Sequence, residues 1–311
     1  MIIDVRGVTK SYGSVKALRD VSFDMNNGGG EVGGGALALL GANGAGKSTL
    51  LKCVLGITDF KGEICVGGFD VRSKPKEAKA LMGYVPQEPL FYNMPVTGIV
   101  GFFARLRRTP PGRVREVLDR VGLTEHVSKP TGALSGGMKQ RLSFAIAILS
   151  DPPVLVLDEP TTNLDAAVRM EMLTLVKGFK EAGKTVLFSS HRIDEVELLA
   201  DRVLVMKSGS IVLDCAPEML SRELGIKSEL RLKVEKDVFR PSIRLLESEG
   251  FRVRLLNGSS HTIFVEVKEG EKLKPLKALL SSGFEGVDFF TEPTSMEKIL
   301  AELDNRGSDR E

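Results

Sequence analysis

The chain has 311 residues, of which 42% are hydrophobic and 27% are charged. This composition excludes a disordered or fibrous polypeptide and suits about two globular domains. The formal net charge is only +2, so no global field draws the chain onto nucleic acid, and no nucleic-acid partner is expected. The three cysteines, Cys53, Cys65 and Cys215, lack the spacing of a metal site, and no apolar run reaches the length of about 18 residues that suggests a membrane span.

Short apolar runs alternate with helical stretches from the N-terminus to about Leu220. This alternation is typical of a parallel sheet wrapped by helices and predicts an α/β fold. Between Gln87 and Ser150 helical patterns replace the strands, notably at Val100–Arg107 and Val114–Val121, which indicates a helical insert at about 88–150. The strand candidates are Leu37–Leu40, Val154–Leu157, Thr185–Ser189 and Val203–Met206.

The pattern changes after about Arg222, where strand and helix periods follow in the order β-α-β-β-α-β. We therefore expect a large α/β domain over 1–221 and a small C-terminal α+β domain of ferredoxin-like order over 222–311. The predicted C-terminal elements are the strand Leu230–Val234, the helix Ser242–Glu249, the strands Phe251–Leu256 and Thr262–Val267, the helix Leu273–Leu280 and the strand Val287–Phe290.

A phosphate-binding loop is predicted at Gly41–Thr49, which matches G-x-x-x-x-G-K-[ST] between an apolar strand and a helical stretch. Backbone amides and the helix N-terminus favour phosphate there, Lys47 would reach the β- and γ-phosphates, and Ser48 would hold Mg²⁺. ATP and Mg²⁺ are the expected cofactors. The expected ATP contacts of the loop are Gly41, Asn43, Gly44, Ala45, Gly46, Lys47, Ser48 and Thr49.

A second glycine-rich stretch precedes this loop, with glycine at 28–30 and 33–35. It lacks a following lysine and hydroxyl, so we interpret it as a surface hairpin that ATP binding does not require.

Two adjacent carboxylates, Asp158 and Glu159, follow the apolar run that begins at Val154. Residues at the carboxyl ends of parallel strands lie beside a phosphate loop. Because neighbouring side chains of a strand point to opposite sides, Asp158 is expected to face the metal and Glu159 an attacking water.

Another helix is predicted to begin in the sequence Leu-Ser-Gly-Gly-Met at Leu134–Met138. Serine followed by glycines at a helix start is again the chemistry of an anion site. The chain already carries one phosphate loop, so this second site needs a different explanation.

The motifs together resemble the nucleotide-binding subunit of an ABC transporter over about residues 1–220. The resemblance implies an ATPase in which two copies, as homodimer or heterodimer, pair head to tail, so that Ser135, Gly136 and Gly137 of one subunit close on the ATP held by Lys47 of the other. The matching stretches, in chain order, are Lys10–Gly13, the phosphate loop, Gln87, Leu134–Met138, Leu157–Pro160, Asn163–Asp165 and Ser190-His191.

The resemblance also implies roles for single residues. Tyr12 would stack on adenine, Gln87 would sense Mg²⁺ and the attacking water, Asp165 would link the two sites across the dimer, and His191 would contact the γ-phosphate and order the water. From the residues alone, the alternatives are a surface aromatic for Tyr12, a loop amide for Gln87 and a locally bonded histidine for His191.

The drug-resistance and export subgroup is the best match, because Leu134–Leu142 and a small C-terminal domain are similar to it. It implies separate integral membrane permease subunits that hold the chain at the cytoplasmic face of the membrane. A cytosolic ABC ATPase of translation or DNA repair, and an importer ATPase, remain alternatives. An arginine-rich run favours a solvated helix face or a docking surface for the membrane partner, and it contains Arg105, Arg107, Arg108, Arg113, Arg115 and Arg120.

Overall fold

The computed structural model describes residues 1–26, 35–110, 112–255, 261–268, 271–284, 287–291, 298–299 and 301. The chain divides into two compact units, Met1–Pro217 and Glu218–Glu311, just before the expected boundary after residue 221. Among the described residues, no helix has both the length and the apolar character needed to cross a bilayer.

The first unit contains ten strands and seven α-helices among its described residues. The strands are β1 (Ile3–Tyr12), β2 (Val15–Met25), β3 (Ala36–Leu40), β4 (Lys61–Val66), β5 (Phe69–Asp70), β6 (Met82–Val85), β7 (Val154–Asp158), β8 (Thr185–Ser190), β9 (Arg202–Lys207) and β10 (Ser210–Cys215). The helices are α1 (Lys47–Val54), α2 (Pro75–Ala80), α3 (Val96–Leu106), α4 (Arg113–Arg120), α5 (Gly136–Ile148), α6 (Ala166–Glu181) and α7 (Ile193–Leu199).

A six-stranded sheet of order β10-β9-β3-β8-β7-β6 forms the centre of this unit. Its strands are parallel except for β10, which pairs antiparallel with β9. Every residue of β3, β7 and β8 is buried, as expected for parallel strands covered on both faces. The predicted α/β core is confirmed, and all four strand candidates lie in this sheet. The carboxyl ends of β3, β7 and β8 meet at one edge, where Asp158 is in register with Ser189.

A second, antiparallel sheet of order β2-β1-β4-β5 packs its apolar residues into the same core. It places the first residues of β2 beside the start of α1, because the backbone of Ala17 approaches Gly46. This sheet therefore supplies a wall for the phosphate loop.

The glycine-rich stretch before β3 is only partly described. Gly33 and Gly34 lie outside the described residues, whereas the carbonyl oxygen of Gly35 accepts a hydrogen bond of 2.8 Å from the backbone N–H of Val186 in β8. Ala36 is the first residue of β3. Ala36 thus belongs to the sheet and Gly35 is bonded to it, while the dispensability of these glycines for ATP binding stays a prediction.

Helices α3, α4 and α5 form the helical insert, and two of its arginines hold the C-terminal end of α5. Arg113 donates to the carbonyl oxygens of Ile148 and Leu149, and Arg107 donates to that of Ile146 at 2.6 Å. Arg120 stacks over the ring of Phe179. Cations are favourable beside the unpaired carbonyls of a helix end. Arg105, Arg108, Arg115 and Arg120 are exposed, as a solvated face predicts, whereas Arg107 and Arg113 are half-buried against α5.

The second unit contains the four-stranded antiparallel sheet β12-β13-β11-β14. Apolar side chains of β11, β13, α9 and α10 form its core, among them Leu232, Leu246, Val265 and Leu279. The predicted turn at Asn257-Gly258 lies outside the described residues. The elements are α8 (Leu220–Glu223), β11 (Lys227–Lys233), α9 (Phe239–Ser248), β12 (Arg252–Arg254), β13 (Thr262–Lys268), α10 (Leu273–Ser281) and β14 (Asp288–Thr291).

Candidate functional site

The loop Gly41–Thr49 connects the end of β3 to the start of α1, as the motif requires. Gly46 precedes the helix with φ of 106°, and a Cβ atom at this position would lie 2.7 Å from the carbonyl oxygen of Ala17. A Cβ at Gly41 would lie 2.5 Å from the carbonyl oxygen of Met206. Both positions therefore admit only glycine, because the backbones of β2 and β9 approach the loop too closely for a side chain.

The side chain of Lys47 lies inside its own loop. Its ammonium nitrogen donates to the carbonyl oxygens of Gly41 at 2.8 Å and Ala42 at 3.1 Å, and lies 3.2 Å from Oε1 of Glu159. Lys47 is 5% exposed and Glu159 is 6% exposed. A positive charge is thus fixed within the loop, where a phosphate group would need it.

Glu159 follows β7 directly and is the centre of a polar network. Its Oε2 accepts hydrogen bonds from Nε2 of Gln87 at 3.3 Å and from Oγ1 of Thr162 at 3.0 Å, and lies 3.2 Å from Nδ1 of His191. Burial opposes ionisation of this carboxyl group, but the charge of Lys47 and the hydrogen bonds of Lys47 and Thr162 outweigh it, so the pKa of Glu159 lies below its ordinary value. An ionised carboxylate at this place can accept a proton from water.

Asp158 is held from both sides by hydroxyl groups. Its Oδ1 accepts from Oγ of Ser48 at 2.9 Å and from Oγ of Ser189 at 2.7 Å, and the same Ser189 oxygen accepts from the backbone N–H of Glu159 at 2.9 Å. Ser189 therefore fixes the side chain of Asp158 at the end of β7 and the backbone of Glu159 directly after it.

The donor set fits Mg²⁺. Ser48 and Asp158 offer a hydroxyl and a carboxylate oxygen, and Mg²⁺ prefers oxygen ligands, commonly one or two carboxylates together with substrate phosphates. In the part of the chain that the structure describes, no group of three or more His, Cys, Asp or Glu side chains could hold a metal ion by itself.

A cavity of about 520 Å³ opens beside these residues. It brings together the phosphate loop, Gln87 and Glu159, as expected, with part of β2 and Ser208, which the motifs do not reveal. Tyr12 does not line it; the ring is half exposed and lies 4.8 Å from the ammonium of Lys10. The lining residues are Val15, Lys16, Ala17, Arg19, Asn43, Gly44, Gly46, Lys47, Ser48, Thr49, Gln87, Glu159 and Ser208.

Ser189 and Thr162, which sequence reasoning missed, are close to the chemistry. A hydroxyl at the carboxyl end of the strand next to β7 is the pattern that could have identified Ser189, since parallel strands end at the same edge.

The second predicted anion site lies elsewhere. Ser135 caps α5, its Oγ accepting from the backbone N–H of Met138 at 3.3 Å, and both Ser135 and Gly136 are exposed. A Cβ at Gly137 would lie 2.7 Å from Cγ1 of Val168, so the N-terminal ends of α5 and α6 are adjacent. Asp165, exposed, caps α6. None of these residues lines the chain's own cavity.

The chain matches known proteins along nearly its whole length. The family model described as ABC transporter matches residues 18–162. A "Nod factor export ATP-binding protein I" of Burkholderia lata is 34% identical and aligns over 98% of this chain and 97% of that protein. The "Linearmycin resistance ATP-binding protein LnrL" of Bacillus subtilis is 32% identical over 79% of each chain.

A solved structure agrees with these relatives. The cbiO1 protein of Clostridium perfringens, described as part of the ABC transporter complex cbiONQ, has a TM-score of 0.63 and 30% identity, covering 80% of this chain and 97% of that one. The phosphate loop, the paired acids Asp158 and Glu159, and full-length similarity agree on one assignment. The chain belongs to the ABC transporter family, as one of its ATP-binding and ATP-hydrolysing subunits.

Proposed function

We propose that this chain powers export across a membrane by hydrolysing ATP in a head-to-tail dimer that is coupled to separate membrane subunits. The observation that carries the dimer is the position of Ser135, Gly136 and Gly137. They form a helix start outside the cavity that contains Lys47, with Ser135 and Gly136 exposed and Gly137 half-buried, so this start is available to the nucleotide of another subunit.

In this proposal, each residue of the site has a role in ATP binding or hydrolysis. The amides of the loop and Lys47 bind the β- and γ-phosphates, and Glu159, ionised, accepts the proton of the attacking water. His191 and Gln87, both bonded to the same Glu159 oxygen, orient that water and the γ-phosphate. Ser48 and Asp158 would hold Mg²⁺, which supplies neutralisation of the phosphate charge. Tyr12 would reach adenine at the mouth of the cavity, and Asp165 would meet the other subunit.

A composite site, formed by Lys47 of one subunit and Ser135 of the other, can be tested by mixing two inactive variants. Lys47→Ala removes the phosphate ligand, and Ser135→Arg blocks the helix start. In a head-to-tail dimer of one subunit of each kind, one site combines wild-type Lys47 with wild-type Ser135, so the mixture should regain ATPase activity.

A doubly substituted chain is the control for this experiment. A chain that carries both substitutions, mixed with wild type, has no intact composite site and should remain inactive in the mixed dimer. If each site instead lies within one chain, mixing the two single variants restores nothing, and the head-to-tail dimer is refuted.

A second cavity suits a membrane partner. It also measures about 520 Å³, lies between the segment that follows Gln87 and the helical insert, and is mostly apolar. Leu90 and Tyr92 at its border are 93% and 87% exposed, and large exposed apolar surfaces mark interaction sites. Arg107 lines it too, with burial lowering the pKa of its guanidinium, so an acidic residue of the partner would be favourable there.

The membrane partner can be identified by tagging the chain in its native host, solubilising membranes gently and analysing what co-purifies. A polytopic membrane protein in stoichiometric amount is the expected result, and it would place the chain peripherally at the cytoplasmic face. Ribosomes or DNA-repair proteins instead would overturn the transport role and leave the ATP chemistry standing.

The docking surface has its own variant test. Leu90→Asp and Tyr92→Asp should abolish co-purification while the ATPase activity of the isolated subunit stays within about twofold, because both side chains lie outside the ATP cavity. Ile57→Asp is the matched control, since Ile57 is 58% exposed and lines neither cavity. Retained co-purification of the Leu90 and Tyr92 variants would exclude this surface.

Export is favoured over import by the names of the two relatives above, one of an export protein and one of a resistance protein. Inverted membrane vesicles from the native host separate the two directions. Accumulation of cargo inside such vesicles on addition of ATP supports export, and ATP-driven loss from preloaded vesicles would indicate import.

A further inference from the structure

Glu195 is a buried acid for which the ATP chemistry described above has no use. It lies in the first turn of α7, is 2% exposed and lines neither cavity. A buried carboxylate is unfavourable unless hydrogen bonds and opposite charge compensate its lost hydration. Its partners therefore indicate why it is there.

The carboxylate of Glu195 joins two segments that are far apart in sequence. Its Oε1 accepts a hydrogen bond of 2.6 Å from Oγ1 of Thr161, which belongs to the loop between Glu159 and Asp165. Its Oε2 accepts one of 2.8 Å from Oγ of Ser190, the last residue of β8. The guanidinium Nε of Arg192 lies 3.5 Å from Oε1 and partly balances the charge.

These contacts fix the backbone on both sides of His191. The Ser190 oxygen that donates to Glu195 also accepts from the backbone N–H of Arg192 at 2.9 Å. His191 stands between these two residues and directs Nδ1 toward Oε2 of Glu159 at 3.2 Å. Thr161, the other hydroxyl partner of Glu195, lies two residues after Glu159. In this loop the carbonyl oxygen of Glu159 accepts a hydrogen bond of 3.1 Å from the backbone N–H of Thr162.

We infer that Glu195 is a positioning residue for ATP hydrolysis: it holds the His191 turn and the loop after Glu159 at a fixed separation, so that the His191 ring meets the Glu159 carboxylate. The inference rests on the proposed roles of His191 and Glu159. Catalytic groups displaced by about 1 Å commonly lose on the order of 10²-fold in rate, so a tie between two loops can affect turnover without touching ATP.

The test compares Glu195→Ala and Glu195→Gln with Asp194→Asn. Asp194 is the matched control, because it is the adjacent acid and also contacts Arg192, but is 55% exposed. We expect Glu195→Ala to lower kcat about 10- to 100-fold, with KM for ATP and the Kd of the isolated subunit for ATP within about twofold. Glu195→Gln, which keeps one oxygen acceptor, should retain more of the activity, and Asp194→Asn should stay near wild type.

A spectroscopic readout separates positioning from a general loss of structure. The chain has three histidines, so the ring resonances of His191 can be assigned by comparison with His191→Gln. Glu195→Ala and Ser190→Ala should shift these resonances in the same direction, whereas Asp194→Asn should leave them in place.

Unchanged kcat in Glu195→Ala, or unmoved His191 resonances, would overturn the inference. So would a loss of kcat accompanied by an equal loss of ATP affinity. Failure of the proposed function gives a different result, because the wild-type chain itself would then show no ATPase activity from sites shared between two subunits.

Discussion

The ammonium nitrogen of Lys47 lies 3.2 Å from Oε1 of Glu159, and both side chains are buried. The residue proposed to bind phosphate is thus paired with the residue proposed to activate water. We propose that the γ-phosphate of an entering ATP would compete with Glu159 for the same ammonium group. Exchange of these partners would release the carboxylate toward the water, so nucleotide binding and activation of the base are linked by one ion pair.

Glu159→Gln should bind ATP yet lose most of its turnover. The amide keeps the shape of the side chain and one of its two oxygen acceptors but cannot accept the proton, and a positioned base typically contributes about 10²- to 10⁴-fold. ATPase rates and ATP binding by calorimetry, measured on the same preparation, check both halves. Near-normal turnover would exclude Glu159 as the base.

Acid should destabilise the wild-type chain more than the Glu159→Gln variant. The pKa of Glu159 is lowered in the folded chain, so its ionised form stabilises the fold above the ordinary value of 4.5. That contribution is lost as the pH falls below 4.5 through the folded-state pKa. The free energy of unfolding can be measured in urea from pH 6 down to about pH 3, over the range in which the chain is folded without urea. It should fall more steeply with decreasing pH in wild type than in Glu159→Gln, and parallel curves for the two chains would argue against the ion pair.

Ser189→Ala should weaken the metal-dependent step. This change removes one of the two hydroxyl donors to Asp158 and the acceptor for the Glu159 backbone N–H, leaving that buried N–H unsatisfied at a cost of about 1–3 kcal/mol. We expect a higher Mg²⁺ concentration for half-maximal ATPase activity and a lower kcat. Ser248→Ala is the control, because Ser248 is exposed and its hydroxyl donates to the carbonyl oxygen of Leu245 in its own helix. An unchanged Mg²⁺ dependence would contradict the role of Ser189.

Gly137→Ala should destabilise the fold, whereas Gly136→Ala should not. An added Cβ at Gly137 meets Cγ1 of Val168 at 2.7 Å, and overpacking costs typically about 1–3 kcal/mol, while the position of Gly136 is open. Thermal unfolding of both variants tests the difference. Val168→Ala combined with Gly137→Ala should recover stability; equal melting temperatures for the two single variants would show that Val168 yields without cost.

The phosphate loop and the paired acids Asp158 and Glu159 could be predicted because phosphate binding and water activation require particular residue types at fixed spacing within a few positions of the chain. The strand that delivers each motif is itself visible as an apolar run, and the motif supplies the order strand, loop and helix. Hydrophobic patterning along the chain therefore determined the α/β core and the place of Lys47, Asp158 and Glu159 in it.

The tertiary structure alone decided which distant residues complete these motifs. Ser189 meets Asp158 through the register of β8 against β7, Thr161 meets Glu195 across 34 residues, and β2 supplies a cavity wall through the close approach of Ala17 to Gly46. Serine, threonine and glutamate are common residues whose sequence neighbours do not reveal their partners. Their contacts depend on how strands align and helices pack, which local sequence spacing does not determine.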